Sequence, residues 1–180
     1  MARKVSRKKN MKEIPQALIG LSGMTRVNIV DPDGTVVGDS GWNKNVITDV
    51  GLSDYIMKKF LSAAGSLTPT YFALGSGNTS LGTAANSLPG QIAGSHMVTL
   101  GANSALTTRA TSSDAGTTQY LATFSSNIFA AETTIGIAGL HAASTGSVMC
   151  GGTFASSSVA TNQAVNCTYQ ILFSATVTNN

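Results

Sequence analysis

The stretch Val165-Asn-Cys-Thr-Tyr-Gln-Ile-Leu-Phe-Ser-Ala-Thr-Val177 decides the fold class. Val165, Cys167, Tyr169, Ile171, Phe173, Ala175 and Val177 fall on one side of an extended chain. Asn166, Thr168, Gln170, Leu172, Ser174 and Thr176 fall on the other. Seven successive same-face positions that are apolar or small, at a period of two, describe a strand with one face in a core. Such a strand cannot stand alone, so the segments upstream should supply its neighbours.

Working back from it, Ser147–Phe154, Thr134–His141, Thr117–Ser125, Ala105–Thr111, His96–Leu100 and Thr70–Leu74 read as further strands, separated by Gly, Asn, Ser and Asp. Leu81–Gly94 reads as a loop with Pro89-Gly90 at its end. Met24–Asp31 alternates, with Thr25, Val27 and Ile29 on one face and Met24, Arg26, Asn28 and Val30 on the other. Asp31-Pro-Asp-Gly34 has the proline and glycine positions of a type I turn, so Thr35–Val37 is expected to return as a hairpin strand. Lys44–Thr48 reads as one more short strand. Only Asp49–Ala64 carries a helical period: Leu52, Ile56, Phe60 and Ala64 recur every four residues, Met57 and Leu61 widen the stripe, Thr48 or Asp49 can cap it and Gly65 can stop it. Gly51 weakens its first turn. The expected fold is therefore mainly β: an antiparallel β-sandwich, jelly-roll-like, with one α-helix near 49–64 whose Leu52, Ile56 and Phe60 pack on the sheet. Residues 1–23 are expected to form a basic N-terminal arm and apolar connector, and residues 24–180 the sandwich domain.

Charge divides the chain in the same place. Arg3, Lys4, Arg7, Lys8, Lys9 and Lys12, with Glu13 as the sole acid, give residues 1–13 a net charge of +5, whereas the whole chain carries +3. The 120 residues from Leu61 to Asn180 hold three charges, Arg109, Asp114 and Glu132. Ser, Thr, Gly, Ala and Asn make up 96 of the 180 residues. A globally basic nucleic-acid-binding domain is thereby excluded, because the basicity belongs to the arm. Charged disorder is excluded by a 42% hydrophobic content. A surface this poor in charge suits assembly better than life as a free monomer. The arm is expected to dock on a neighbouring subunit; contact with phosphates of a genome is the alternative, without base stacking, since no aromatic residue interleaves the cations.

Motifs for chemistry are sparse. His96 and His141 stand alone, and each is expected as a half-exposed sheet histidine. Cys150 and Cys167 are expected as small core residues, although they could meet across neighbouring strands, and a metal site shared with a histidine is the less favoured reading. Gly75-Ser-Gly-Asn-Thr-Ser-Leu-Gly82 lacks the Gly-Lys-[Ser/Thr] ending of a phosphate loop and reads as a turn leaving a strand. Asp31-x-Asp33-Gly34 opens like a calcium loop, but Trp42 stands where the closing glutamate belongs. Asp114 with Glu132 is a carboxylate pair that nothing favours. We expect no enzyme, cofactor, metal or catalytic residue, and no membrane span.

Two stretches resemble a layout of structural proteins in tailed-bacteriophage virions. Thr25-Arg-Val-Asn-Ile-Val-Asp-Pro-Asp-Gly34, leading to Lys44-Asn-Val-Ile-Thr-Asp-Val-Gly-Leu52, is similar to their hairpin, strand and Gly-Leu helix start. Tyr71-Phe-Ala-Leu-Gly-Ser-Gly-Asn-Thr79 is similar to their strand followed by Gly-x-Gly-x-Thr. Ile135-Gly-Ile-Ala-Gly-Leu140 and the terminal strand follow the same order. The resemblance implies a capsid decoration, cement or minor capsid subunit, or else a tail, neck or fibre-attachment subunit. Partners would be further copies of the chain and a major capsid or other virion protein, and the location a virion assembled in the host cytoplasm. It implies no catalytic residues.

Overall fold

The computed structural model describes residues 16–62, 64–92, 98–99, 105–109, 115–143 and 147–178. Among the described residues it is mainly β, with a short helical segment, and its sheets are antiparallel. The strands are β1 (Gln16–Val30), β2 (Val36–Asp39), β3 (Asn43–Lys44), β4 (Val46–Ile47), β5 (Tyr71–Gly75), β6 (Val98–Thr99), β7 (Ala105–Arg109), β8 (Ala115–Phe124), β9 (Thr133–His141), β10 (Val148–Val159) and β11 (Ala164–Thr178). One sheet runs β2-β1-β11-β8-β7, with β3 also on β1, and the other β4-β10-β9-β5-β6.

The quoted terminal stretch is β11, at the centre of the first sheet. Val165, Cys167, Tyr169 and Ile171 are buried, as their alternation predicts. Register then sets the inward rows: Ile29–Val165–Phe124, Val27–Cys167–Ala122 and Thr25–Tyr169–Tyr120 across β1, β11 and β8. These side chains share one core with Phe72, Leu74, Ile135, Leu140, Met149 and Phe154 of the second sheet. Phe72 and Phe124 meet edge to face across it, ring centres 6.5 Å apart. Each fully buried large side chain here contributes about 1.5–3 kcal/mol of hydrophobic stabilisation.

The first strand is longer than expected. Residues 17–23, read as a connector, belong to β1, which pairs with β11 without a break from Gln16↔Thr178 to Val30↔Ala164. The partner strand supplies the order that local pattern does not reveal. The turn after β1 forms as expected, with Gly34 N–H donating to Asp31 O at 2.9 Å.

The second sheet is covered on both sides. Leu81 and Leu88, from the loop after β5, pack with Ala73, Ile137 and Val148 in a second cluster. Ile135 through His141 are consequently all buried. His141 is wholly enclosed instead of half-exposed, because β9 lies between β10 and β5 in a sheet with two packed faces.

The helical segment also departs from expectation. It is helical from Asp49, wound as a π-helix over Gly51–Met57 and as an α-helix over Lys58–Phe60, so it stops four residues before Ala64. Ser62 then takes a left-handed φ of 49°, and Leu67 N–H returns to Asp54 O at 2.8 Å. Thr48 anchors the start: its Oγ1 accepts from Gly51 N–H at 3.1 Å and donates to Val148 O at 2.7 Å. Within this i→i+5 winding, Gly51 and Ile56 are the residues buried against the sheet. Leu52, expected to pack there, is instead 44% exposed, and Phe60, although 64% exposed, keeps a ring contact with Phe173 of β11.

Candidate functional site

The expected partner-binding cations Arg3, Lys4, Arg7, Lys8, Lys9 and Lys12 lie outside the described residues, as do His96 and Asp114. The remaining chemistry-bearing side chains can be placed. Cys150 on β10 and Cys167 on β11 are buried and free, on different sheets. Burial pushes the Cys150 thiol up to about 12 and the Cys167 thiol higher still. The thiolate is the nucleophile and metal ligand, so both are held in the unreactive form. Glu132 accepts from the Ser158 hydroxyl. Among the described residues, no group of three His, Cys, Asp or Glu is placed to hold a metal ion.

The glycine loop after β5 spends its amides internally. Ser76 N–H donates to Gly90 O at 2.9 Å and Gly77 N–H to Pro89 O at 3.0 Å. A Cβ on Gly77 would stand 2.7 Å from Pro89 O, so glycine is what lets the two backbones meet. The turn reading holds. At Asp31–Gly34, Asp33 Oδ1 accepts from Thr35 N–H at 2.9 Å, which lowers its carboxyl from the ordinary value.

A polar cluster that sequence reasoning missed lies between the sheets. The Tyr55 and Tyr120 hydroxyls are hydrogen-bonded to each other. The Tyr169 hydroxyl meets the Cys150 thiol and the Asn45 side-chain amide, which also reaches Gly23 O at 3.1 Å and Met24 N at 3.3 Å. Burial raises all three tyrosines above their ordinary value. Tyr120 and Tyr169 are buried and Tyr55 is half-buried, and the cluster fastens the helical segment to the core. The signal available in sequence was Asn45 amid strand residues, with Tyr169 on the buried face of β11.

The surface that water does reach is more telling. Leu52, Met57, Phe60 and Leu61 are exposed to 44%, 51%, 64% and 74%. Leu52 and Met57 are the large apolar side chains that the π-wound part leaves exposed, and Phe60 and Leu61 follow at the C-terminal end of the segment. The segment thus carries a row of four exposed large apolar side chains along its length. Beside it an open groove of about 380 Å³ is lined by Tyr55, Ile56, Lys59, Phe60, Thr68 and Phe173. Phe60 meets Phe173 of β11 edge to face at 6.2 Å. Lys58 reaches back to Asp54 at 2.7 Å. A smaller apolar exposure, Val36, Val37 and Trp42, lies at the β2 edge, where Arg26 Nε donates to Asp39 Oδ1 at 2.9 Å. The Arg26 pair and the Gly41 N–H hold the Asp39 carboxyl down at about 2.

No family model, no curated protein and no solved structure matches the chain.

Proposed function

We propose that the protein is a structural subunit of a tailed-bacteriophage virion, a capsid decoration, cement or minor capsid component that stabilises the particle through subunit–subunit contacts. The observation that carries this reading is the poverty of charge in the body: three charged residues among the 120 from Leu61 onward. Wide neutral faces of Ser, Thr, Gly and Ala pack against neighbours without desolvating ions, and such short side chains lose little entropy on ordering. The exposed stripe on the helical segment adds an apolar contact of the kind that marks an interaction site.

The two sheets are then the layers of a jelly-roll-like sandwich. In support, the first strand pairs with the last, and β4 pairs with β10, which precedes the last. The basic arm extends from β1 to clamp a neighbouring subunit, and the particle assembles in the host cytoplasm with no enzymatic step, cofactor or membrane.

Quantifying the chain against the major capsid protein in gradient-purified particles tests this. A copy number comparable with the capsid protein is expected; absence from the particles overturns it. A handful of copies per particle selects the alternative, a tail, neck or fibre-attachment subunit. The basic arm itself favours one further reading, contact with the genome. Deleting residues 1–12 then abolishes salt-sensitive nucleic-acid binding, and an unchanged isotherm sinks it.

A further inference from the structure

We propose that the stripe of Leu52, Met57, Phe60 and Leu61, with the groove beside it, is a self-association surface on which the helical segment of a second copy of this chain lies antiparallel about a twofold axis. The proposal deepens the subunit reading above and rests on it in one respect, that copies of the chain meet one another.

The exposed side chains are large and apolar, and Leu61, the most exposed at 74%, is outside the hydrophobic core of the described residues. A groove of about 380 Å³ opens next to it. That is more room than the ~150 Å³ apolar cavity that takes up benzene. Knob and hole thus lie side by side on one protomer, and a twofold axis seats each knob in the other copy's hole, as an isologous contact requires.

Charge fixes both the direction and the occupant. Asp49 and Asp54 lie in the first half of the segment, Lys58 and Lys59 in the second. Parallel copies would bring lysine onto lysine and aspartate onto aspartate, whereas an antiparallel pair sets Asp49 of each copy opposite Lys59 of the other. The chain's own N-terminal arm is the poorer occupant, because its six cations would approach Lys58 and Lys59. The ten residues 51–60 span only about 15 Å, so the contact is smaller than the ~800 Å² per partner of a stable dimer. The dimer is accordingly weak, in the micromolar range or above, and gains strength by repetition in an assembly.

Sedimentation velocity of the full chain across a concentration series tests the proposal, with circular dichroism and thermal melts confirming that each variant folds. Wild type is expected to show reversible dimerisation. Leu61→Asp, at a position that contributes nothing to the core, weakens it by about tenfold or more. Lys59→Glu alone and Asp49→Lys alone each weaken it, and the two together restore it. A wild type that stays monomeric throughout overturns the proposal. Association that Leu61→Asp leaves unchanged, or a charge swap without rescue, overturns it as well. Failure of the virion reading is seen separately: a chain that dimerises in this pattern but is absent from purified particles loses that reading and keeps the contact.

Discussion

Gly51 is the residue on which the helical segment turns. Sequence propensity marks it as a weak point, since glycine costs a helix about 1 kcal/mol relative to alanine. Packing reverses that judgement: a Cβ on Gly51 would stand 1.9 Å from Met149 O, a backbone atom of β10 that cannot swing away. The missing side chain is what allows the segment to lie flat on the second sheet and Thr48 to bond β10. Gly51→Ala is therefore expected to destabilise the protein by about 2–3 kcal/mol through overpacking, the opposite of its effect in an isolated helix. Gly82→Ala, where nothing lies within 4 Å of the added Cβ, serves as the control and is expected to change stability by no more than about 0.5 kcal/mol. Urea unfolding of the two variants makes the comparison; equal midpoints would show that Gly51 is not pressed against β10.

At the scale of the element, the strands were legible and the helix face was not. Strand periodicity of two survives any tertiary context, so Met24–Asp31 and the terminal stretch announce which side chains they bury. The helix stripe of Leu52, Ile56 and Phe60 assumed a repeat of 3.6, and seven residues of π winding keep Ile56 on the sheet while leaving Leu52 exposed. Residues 17–23 do not alternate, and their membership in β1 comes from β11, far away in the chain. The groove is illegible for the same reason: Tyr55, Ile56, Lys59 and Phe60 meet Thr68 and Phe173 only after folding. The winding has a direct consequence. Ile56→Ala is expected to cost about 2–4 kcal/mol, because Ile56 is 7% exposed. Leu52→Ala and Met57→Ala are expected to cost no more than about 0.5 kcal/mol each. An α-helix with the period read from sequence would instead make Leu52 and Ile56 equally costly, so similar losses at the two positions would refute the π assignment.

For the whole molecule, the same poverty of charge that suits the surface to assembly leaves the core with five weakly acidic groups among the described residues. Tyr55, Tyr120, Tyr169, Cys150 and Cys167 are buried or half-buried, and every one of them is raised above its ordinary value by desolvation. Folded, these groups keep their protons; unfolded, the thiols lose theirs near pH 8.5 and the phenols near pH 10. The unfolded state thus binds fewer protons above those values, so the stability that these groups contribute is fully present below about pH 8.5 and declines as pH rises. Each thiol contributes a loss of about 1.4 kcal/mol per pH unit from there up to its native value. For Cys150 that value is about 12. Urea midpoints at pH 7, 8.5 and 10 are expected to be level and then to fall by an amount equivalent to a few kcal/mol. In the Cys150→Ala, Cys167→Ala double variant most of the fall below pH 10 should disappear, because the phenols are less than half ionised in the unfolded chain there. An aromatic disulfide reagent at pH 8 should label neither cysteine in the native protein and both in urea. A midpoint that is the same at pH 7 and pH 10, or full labelling without denaturant, would mean that the two sheets do not close over β10 and β11 as described.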